Sequence, residues 1–480
     1  MRGGRGRGGS SGDERLRRPG RCGGRGEQGD RVVAPAVVIA APSSGSGKTT
    51  IATGLMGALA RTGAVAPFKV GPDYIDPGYH ALATGRPGRN LDAVLCGAQR
   101  VAPLYRHGAR DAEIAVVEGV MGLFDGRIVD GPGGAVAEGI GSTADVAQLL
   151  GAPVVLVVDV RGHSQSLAAL LAGFATYRPG VAIAGVILNR VSSPRHERVL
   201  RDACAHAGLE AVGAIPGAAA LEVPARHLGL IPAAERGADA VAAVAAMTEL
   251  VERHVDVDRI RALARPVADG PAWSPPDEVA RVGEPVVALA GGPAFSFGYA
   301  EHEELLRAAG ADVRRFDPLT DELPAGTAAV VLPGGFPEVY AEKLSGNAPL
   351  RAQLRALVDA GGAVHAECAG QLYLAESLDG VPMCGIVPGA ATFTRRLTLG
   401  YRDAVALGPS PLFAPGERVT GHEFHRTALT PGPAAAWGWR DADGRATTDG
   451  FLSSTVHSSY LHVHPAGYPE VAERLVRAVA

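Results

Sequence analysis

The stretch Val37-Val38-Ile39-Ala40-Ala41-Pro42-Ser43-Ser44-Gly45-Ser46-Gly47-Lys48-Thr49-Thr50 decides how the chain is read. Residues 32–41 are a short apolar run, 42–49 are rich in Ser and Gly, and 50–61 carry a helical apolar pattern. That order predicts strand, loop, helix. In such a setting successive backbone N–H groups and the helix N-terminus favour an anion, Lys48 reaches terminal phosphates, and the Thr49 hydroxyl suits magnesium. Pro42 stands where GxxxxGK[ST] has its first Gly, but Gly45, Gly47, Lys48 and Thr49, the half that approaches the phosphates, are intact. The bland alternative is a chance Gly/Ser turn before a helix.

Working outward, buried-strand patterns recur at Ala66–Val70, Ile114–Glu118, Val154–Asp159 and Val181–Leu188, separated by helical stretches such as Ser142–Leu150 and Ser166–Tyr177. Continuous apolar runs alternating with helices predict an α/β fold with a parallel, doubly wound sheet. Carboxylates at strand ends then face the ligand crevice. Asp73 and Asp76 follow one strand in Lys69-Val70-Gly71-Pro72-Asp73-Tyr74-Ile75-Asp76-Pro77, Glu118 ends another, and Asp125 sits in the Gly-rich turn beyond it. A metal bridging phosphate oxygens needs one or two such groups. Singly, each reads as a solvated loop acid; together, in adjacent strand-end loops, they read as a site. Asn189, after its strand, is a candidate for an adenine contact or a plain turn residue.

Residues 264–285 carry five prolines and Trp273 and read as a linker. A second alternation follows: Val286–Ala290, a helix over His302–Ala309, Val330–Leu332, a helix over Leu350–Ala360, and Ala363–Glu367 leading into Cys368. Beyond Gly385 the pattern turns to short strands and turns, with a last helix near Tyr468–Ala480. The organisation expected is an arm over 1–31, a phosphate-binding unit over 32–263, the linker, and a second α/β unit over 286–480.

Cys368 lies between an apolar run and a helical stretch, Gln371–Ser377, among small residues. A thiol on such a turn is exposed, and the helix N-terminus stabilises its thiolate. Alone it would read as a structural cysteine. His462, about ninety residues on, supplies a base, and Leu332-Pro333-Gly334-Gly335-Phe336 supplies backbone N–H groups for an oxyanion. Gly421-His422-Glu423-Phe424-His425 superficially resembles a zinc protease, but its histidines are spaced i, i+3 rather than i, i+4.

Composition narrows the classes. The 480 residues have room for two or three domains at about 150 each. A net charge of -4 gives no global reason to bind nucleic acid or membrane. Five cysteines, odd in number and without a CxxC, suit a reducing cytoplasm better than a disulfide framework. The first thirty residues, with eight Arg and eleven Gly, read as a disordered arm, an RGG-like nucleic-acid arm, or an over-extended start before Val32.

The combined pattern resembles the glutamine-hydrolysing cobyrinic/hydrogenobyrinic acid a,c-diamide synthases of cobalamin biosynthesis. The residues carrying it are Ala41–Thr50, Phe68–Pro77, Asn90-Leu91-Asp92, Val117–Gly126, Gly141–Gln148, Gly185–Val191, Arg226-His227-Leu228-Gly229-Leu230, Leu332–Glu338, Ala366–Gly370, Leu399–Arg402, Gly421–His425 and Ser459–His464. Phe68–Pro77 and Val117–Gly126 are the specific ones; the phosphate loop and Cys turn recur in much larger groups.

The resemblance implies a dethiobiotin-synthetase-like ATPase joined to a class I, triad-type glutamine amidotransferase, expected as a homodimer. ATP would phosphorylate the a- and c-acetates of a corrinoid, and ammonia from glutamine would displace the phosphate. Carried over by position, Cys368 is the thioester-forming nucleophile and His462 its base and acid, with the Gly335 and Ala369 N–H groups for the oxyanion. Gly45, Ser46, Gly47, Lys48, Thr49, Thr50 and Asn189 serve ATP, while Thr49, Asp73 and Glu118 serve Mg²⁺. Asp76 and Asp125 act near phosphoryl transfer or the corrinoid carboxylate, and Tyr74 and Ile75 meet the substrate. Three departures stand out: Cys368-Ala369-Gly370 replaces Cys-Gly-Gly, His464 occupies the place of the triad acid, and Gly291-Gly292-Pro293 replaces an Arg-Asp pair. The competing readings are a nickel-sirohydrochlorin diamide synthase, a cobyric acid synthase, and a partition-type scaffold ATPase. Pro42-Ser43-Ser44 lacks the signature Lys of the last.

Overall fold

The computed structural model describes residues 1, 33–128, 139–218, 233, 237–429, 434–441 and 443–480. The Arg/Gly arm, Cys22 and Arg226–Leu230 lie outside the described residues.

The first sheet has seven strands: β1 (Ala36–Ala40), β2 (Val65–Val70), β3 (Arg89–Leu91), β4 (Ile114–Glu118), β5 (Val154–Asp159), β6 (Ile183–Val191) and β7 (Ala211–Pro216). They pair in the order β3-β2-β4-β1-β5-β6-β7, all parallel. Both faces of β1 are buried, which is why AVVIA reads as an unbroken apolar run. Val37 and Ile39 enter one core cluster, Val38 and Ala40 the other.

Helices α1 (Lys48–Ala60), α2 (Asp76–Thr84), α3 (Ala98–Gly108), α4 (Thr143–Leu150), α5 (Leu167–Tyr177), α6 (Pro194–His206) and α7 (Ala238–His254) cover the sheet. Their ends follow local chemistry. Ser142 and Asp145 form a capping box on α4, which stops at a left-handed Gly151, and Ser193 caps α6 ahead of Pro194.

The second sheet contains β8 (Val286–Ala290), β9 (Asp312–Phe316), β10 (Thr327–Leu332) and β11 (Ala363–Glu367). A small third sheet takes β12 (Ser377–Leu378), β13 (Val381–Pro382), β14 (Ala390–Ala406), β15 (Arg418–Leu429), β16 (Trp437–Arg440) and β17 (Ala446–Asp449). The chain then returns to the second sheet with β18 (Phe451–Leu452) and β19 (Val456–Ser459), giving β18-β19-β11-β10-β8-β9. Only β18 runs antiparallel in that sheet.

Four expectations need correction. The region past Gly385 holds a long hairpin, β14 of 17 residues and β15 of 12, rather than short strands. Most of β14 is exposed or half-exposed, so it lacks the apolar alternation that announces a strand. The helix after Cys368 is Ala369–Leu374, because Ser377 already pairs in β12. Asn189 lies inside β6, not beyond it. Residues 264–285 are not a free tether: Arg265 bridges Ala36, Arg106 donates to the Ala268 and Pro271 carbonyls, and Trp273 is 3% exposed.

The two large sheets are pinned together without the Arg-Asp pair that Gly291-Gly292-Pro293 replaces. Arg89 at the start of β3 reaches Glu301 at 2.6 Å and Glu304 at 2.5 Å on helix Ala300–Ala308, and His107 reaches Glu304 at 3.0 Å. The third sheet is tied to the first half by Tyr401 on β14, which donates to Asp92 at 2.9 Å. No helix among the described residues is long and apolar enough to cross a membrane. Glu301 is 1% exposed, so removing its cation leaves a buried charge unpaired. Arg89→Ala should therefore cost roughly 3 kcal/mol and lower the thermal midpoint by several degrees. An unchanged midpoint would show that this pin does not hold the halves.

Candidate active site

The parallel order places three loops at neighbouring strand ends of the first sheet. The phosphate loop follows β1, Glu118 ends β4, and residues 71–75 follow β2. Gly47 has φ +90°, and a Cβ there would lie 2.3 Å from Asn189 Nδ2, so the loop has room only for glycine. That Asn189 amide donates to the Ser46 carbonyl at 2.8 Å, and Arg190 donates to the Gly45 carbonyl at 3.1 Å and pairs with Asp159. Asn189 thus spends its amide N–H bracing the loop. Ser46 Oγ closes the loop on the Ser43 carbonyl at 2.9 Å, Thr50 is half-buried in α1, and Lys48 Nζ rests on the Met121 carbonyl at 3.1 Å.

Below the loop, one ammonium lies among carboxylates. Lys69 Nζ is 2.5 Å from Asp76, 3.0 Å from Glu118 and 3.8 Å from Asp73. Thr49 Oγ1 donates to Glu118 at 2.6 Å and lies 3.2 Å from Asp76; His80 meets the other Glu118 oxygen at 2.7 Å. Burial alone would lower the Lys69 pKa, but Asp76, Glu118 and Asp73 outweigh it and raise it. Glu118 is lowered because Lys69 and His80 overcome its desolvation. Asp76 is raised to about 7 by burial and by the Asp73 charge, against the pull of Lys69. Lys48 is lowered, by burial and then by the Lys69 charge.

Lys69 and His80 are the residues the sequence reading passed over. A lysine between Phe68 and Val70 in a fully buried strand was a visible signal, as was the i, i+4 pair Asp76/His80. The hydroxyl-plus-carboxylate set Thr49, Asp76 and Glu118 fits Mg²⁺, since oxygen donors already crowd a buried cation there. No group of three His, Cys, Asp or Glu among the described residues is arranged to hold a metal ion. It is Asp76, not Asp73, that lies against Thr49. Asp73 uses Oδ1 to accept the Ile75 and Asp76 N–H groups at the start of α2, and its side chain is 30% exposed. Asp125 accepts the Gly122 N–H at 2.9 Å in its turn.

In the second sheet β11 lies between β10 and β19, so the loops after these three strands converge. Cys368 follows β11 with φ 47°, a strained conformation for a side-chain-bearing residue. The exposed thiol with a stabilised thiolate expected from the sequence is not what the structure holds: Cys368 is 3% exposed, because the loops after three strands close over it, and its thiol points toward the Phe424 carbonyl at 3.9 Å. Burial, then the Glu338 charge, push that thiol up to about 12, while the Gly335 and Ala369 N–H groups pull it down. Gly335 has no room for a Cβ, which would lie 2.2 Å from the Ala294 carbonyl. His462 is fully buried; Glu367 Oε2 lies 3.5 Å from its Nδ1, and a Cβ on Gly334 would touch its ring. Gly421–His425 lies in strand β15, which rules out the helical face a zinc-protease motif needs.

One loop touches both sites. The Tyr74 ring, 8% exposed, lies 5.2 Å from the Phe297 ring and 4.8 Å from that of His462, and its oxygen accepts a 2.7 Å hydrogen bond from Tyr299. Asp73 and Asp76 flank it in sequence on the nucleotide side. Tyr74 and Ile75 also border a cavity of about 1510 Å³ that Asp73, Met121 and Asp125 line from the first half and Leu399, Tyr401 and Arg418 from the β14–β15 hairpin.

Two family models match the chain: the CobQ/CobB/MinD/ParA nucleotide binding domain over residues 37–231 and the CobB/CobQ-like glutamine amidotransferase domain over 286–469. The hydrogenobyrinate a,c-diamide synthase of Mycobacterium tuberculosis is 59% identical over 450 residues, covering 93% of this chain and 98% of that protein. The protein of the same name from Streptomyces coelicolor is 53% identical, covering 92% and 97%. The cobyrinate a,c-diamide synthase of Salmonella typhimurium is 39% identical, covering 92% and 98%. A nucleotide loop beside a carboxylate-caged lysine, a cysteine elbow, and relatives matching nearly end to end place this chain in the hydrogenobyrinate/cobyrinate a,c-diamide synthase family.

Proposed function

We propose that the protein uses ATP and glutamine to convert the a- and c-acetate carboxylates of hydrogenobyrinic or cobyrinic acid into amides, in cobalamin biosynthesis. The observation that carries this reading is the cavity shared by the two halves. At about 1510 Å³ it exceeds the roughly 300–1,000 Å³ of an ordinary small-molecule pocket, so it has room for a macrocycle. Its walls combine exposed apolar side chains, among them Met121, Ile128, Leu399 and Leu407, with arginines. Arg127 pairs with Asp403 and Arg402 with Glu423, whereas Arg396 and Arg418 have no carboxylate partner among the described residues. A flat apolar ring edged with carboxylates complements such a surface.

A carboxylate is a poor electrophile, and phosphorylation gives it a leaving group. In this reading Lys48 and Lys69 balance the negative charge of the phosphates, and Thr49, Asp76 and Glu118 would hold Mg²⁺, with Asp73 beside them; the ion would supply further positive charge for phosphoryl transfer. Asp125 faces the cavity where the acetate would sit. In the other half His462 takes the Cys368 proton, and the thiolate attacks the glutamine amide carbon. The Gly335 and Ala369 N–H groups stabilise the oxyanion, and His462 returns the proton to the departing ammonia, leaving a thioester for water to cleave. Ammonia then attacks the acyl phosphate and expels phosphate. A cytoplasmic setting and a homodimer belong to the same reading.

Cys368→Ala should abolish glutamine-dependent amidation and keep amidation with added ammonium; equal loss of both would place Cys368 in a structural role. Replacing both Arg396 and Arg418 with Ala should raise the KM for the corrinoid about tenfold or more and leave glutamine hydrolysis unchanged; an unchanged KM would move the macrocycle elsewhere. Because burial holds the Cys368 thiol up to about 12, its thiolate fraction in the unliganded protein keeps rising above pH 9. Alkylation at Cys368, followed by peptide mass spectrometry, should still accelerate severalfold between about pH 9.5 and 10.5, where an ordinary thiol of pKa near 8.5 is already about nine-tenths ionised. A rate that levels above about pH 9.5 would refute that environment.

A further inference from the structure

We infer that Glu367, the residue immediately before the nucleophile, is the positioning carboxylate of His462 and so the third member of the cysteine–histidine site. The inference rests on reading the second half as a glutaminase. A triad acid would be sought two residues after the base, and His464 stands there. Its ring is fully buried against Tyr299 at 4.0 Å, its Nδ1 accepts the Ala466 N–H at 3.2 Å, and burial pushes its pKa down to about 4. A neutral imidazole with one nitrogen already used gives His462 no negative charge. A carboxylate has to come from another element.

Strand pairing brings it there. In the register of β11 with β19, Glu367 stands opposite Ser459, three residues before His462. Side chains two apart on a strand share a face, so His365 and Glu367 point the same way, toward the turn that follows β19. There Glu367 Oε2 lies 3.5 Å from His462 Nδ1, while Oε1 accepts the Val463 N–H at 3.2 Å and lies 3.3 Å from His365 Nε2. The Val463 contact ties the carboxylate to the backbone beside the base it serves. At 3.5 Å the Glu367 carboxylate is an electrostatic contact of His462 Nδ1, which has no hydrogen-bond partner among the described residues, and Glu367 is 9% exposed. The Cys368 backbone N–H, donated to the Ser459 carbonyl at 2.7 Å, locks the elbow to the same strand. One turn thus sends the thiol to one side and its neighbour's carboxylate to the back of the base.

The arrangement has a chemical consequence. A carboxylate at Nδ1 keeps the proton on that nitrogen, which leaves Nε2 free to accept the thiol proton. It also balances the imidazolium that forms once that proton has moved. His302, 5.4 Å ring to ring from His365, and His457, at 6.4 Å, also stand behind Glu367. Burial lowers both, to about 4 and about 3, so neither supplies a competing charge.

Glu367→Gln keeps the shape and removes the charge. It should lower kcat for glutamine hydrolysis about 10²-fold at an unchanged KM for glutamine, with ammonium-dependent amidation within twofold of wild type. Glu367→Asp should recover part of the loss. In ¹⁵N spectra of histidine-labelled protein, the His462 ring, assigned by its absence in His462→Gln, should be the Nδ1–H tautomer in wild type and lose that preference in Glu367→Gln. A wild-type kcat in Glu367→Gln, a parallel loss of ammonium-dependent amidation, or an unchanged tautomer would each overturn the assignment. If the wild-type protein hydrolysed no glutamine at all, the glutaminase reading would fail before the role of Glu367 came into question.

Discussion

Lys69, 3% exposed at the end of a buried strand, is held by Asp76 and Glu118, and the rest of the structure depends on that cluster. A buried ammonium is tolerable only when carboxylates surround it. The carboxylates come from different places: Glu118 from the neighbouring strand, Asp76 from the first turn of α2, and Asp73 from the loop between. Their attraction to one cation draws that loop tight. Because residues 73–76 are short and their ends are fixed, Tyr74 has little freedom, and its ring is delivered into the other half of the molecule. The charge cluster below the phosphate loop thereby sets a ring against His462.

The two halves follow one physical rule, applied twice. Parallel strands end at one edge, and the loops beyond them collect functional groups. In the first sheet this edge gathers the phosphate loop, Glu118 and Asp76; in the second it gathers Gly335, Cys368 and His462. The Arg89 pairs and the Tyr401–Asp92 hydrogen bond then hold the edges close enough to share a cavity. Tyr74 lies against His462 and also lines that cavity.

Much of this was legible in the chain because both halves obey local patterns. β4, β5, β8 and β11 stand where continuous apolar runs announced them, and the Ser142–Leu150 stretch begins at its capping serine. The phosphate loop showed in the Gly45/Gly47/Lys48/Thr49 spacing, and Cys368 showed as a thiol between a strand and a helix. What escaped was non-local. Lys69 and His80 carry no motif; their importance comes from Glu118, 49 and 38 residues away by the numbering. The β14–β15 hairpin escaped because its partly exposed faces leave no apolar alternation. The carboxylate at the back of His462 is expected two residues downstream of the histidine, whereas strand pairing brings it from the end of β11.

The central claim is that the two edges act as one enzyme, with nitrogen passing from glutamine to a macrocycle carboxylate. The direct measurement is mass spectrometry of hydrogenobyrinic acid after incubation with the protein, ATP, Mg²⁺ and glutamine labelled with ¹⁵N in its side-chain amide, in the presence of unlabelled ammonium. Two ¹⁵N amides per macrocycle is the outcome this account predicts. No amide on the macrocycle, or amides drawn only from the unlabelled ammonium, would contradict it.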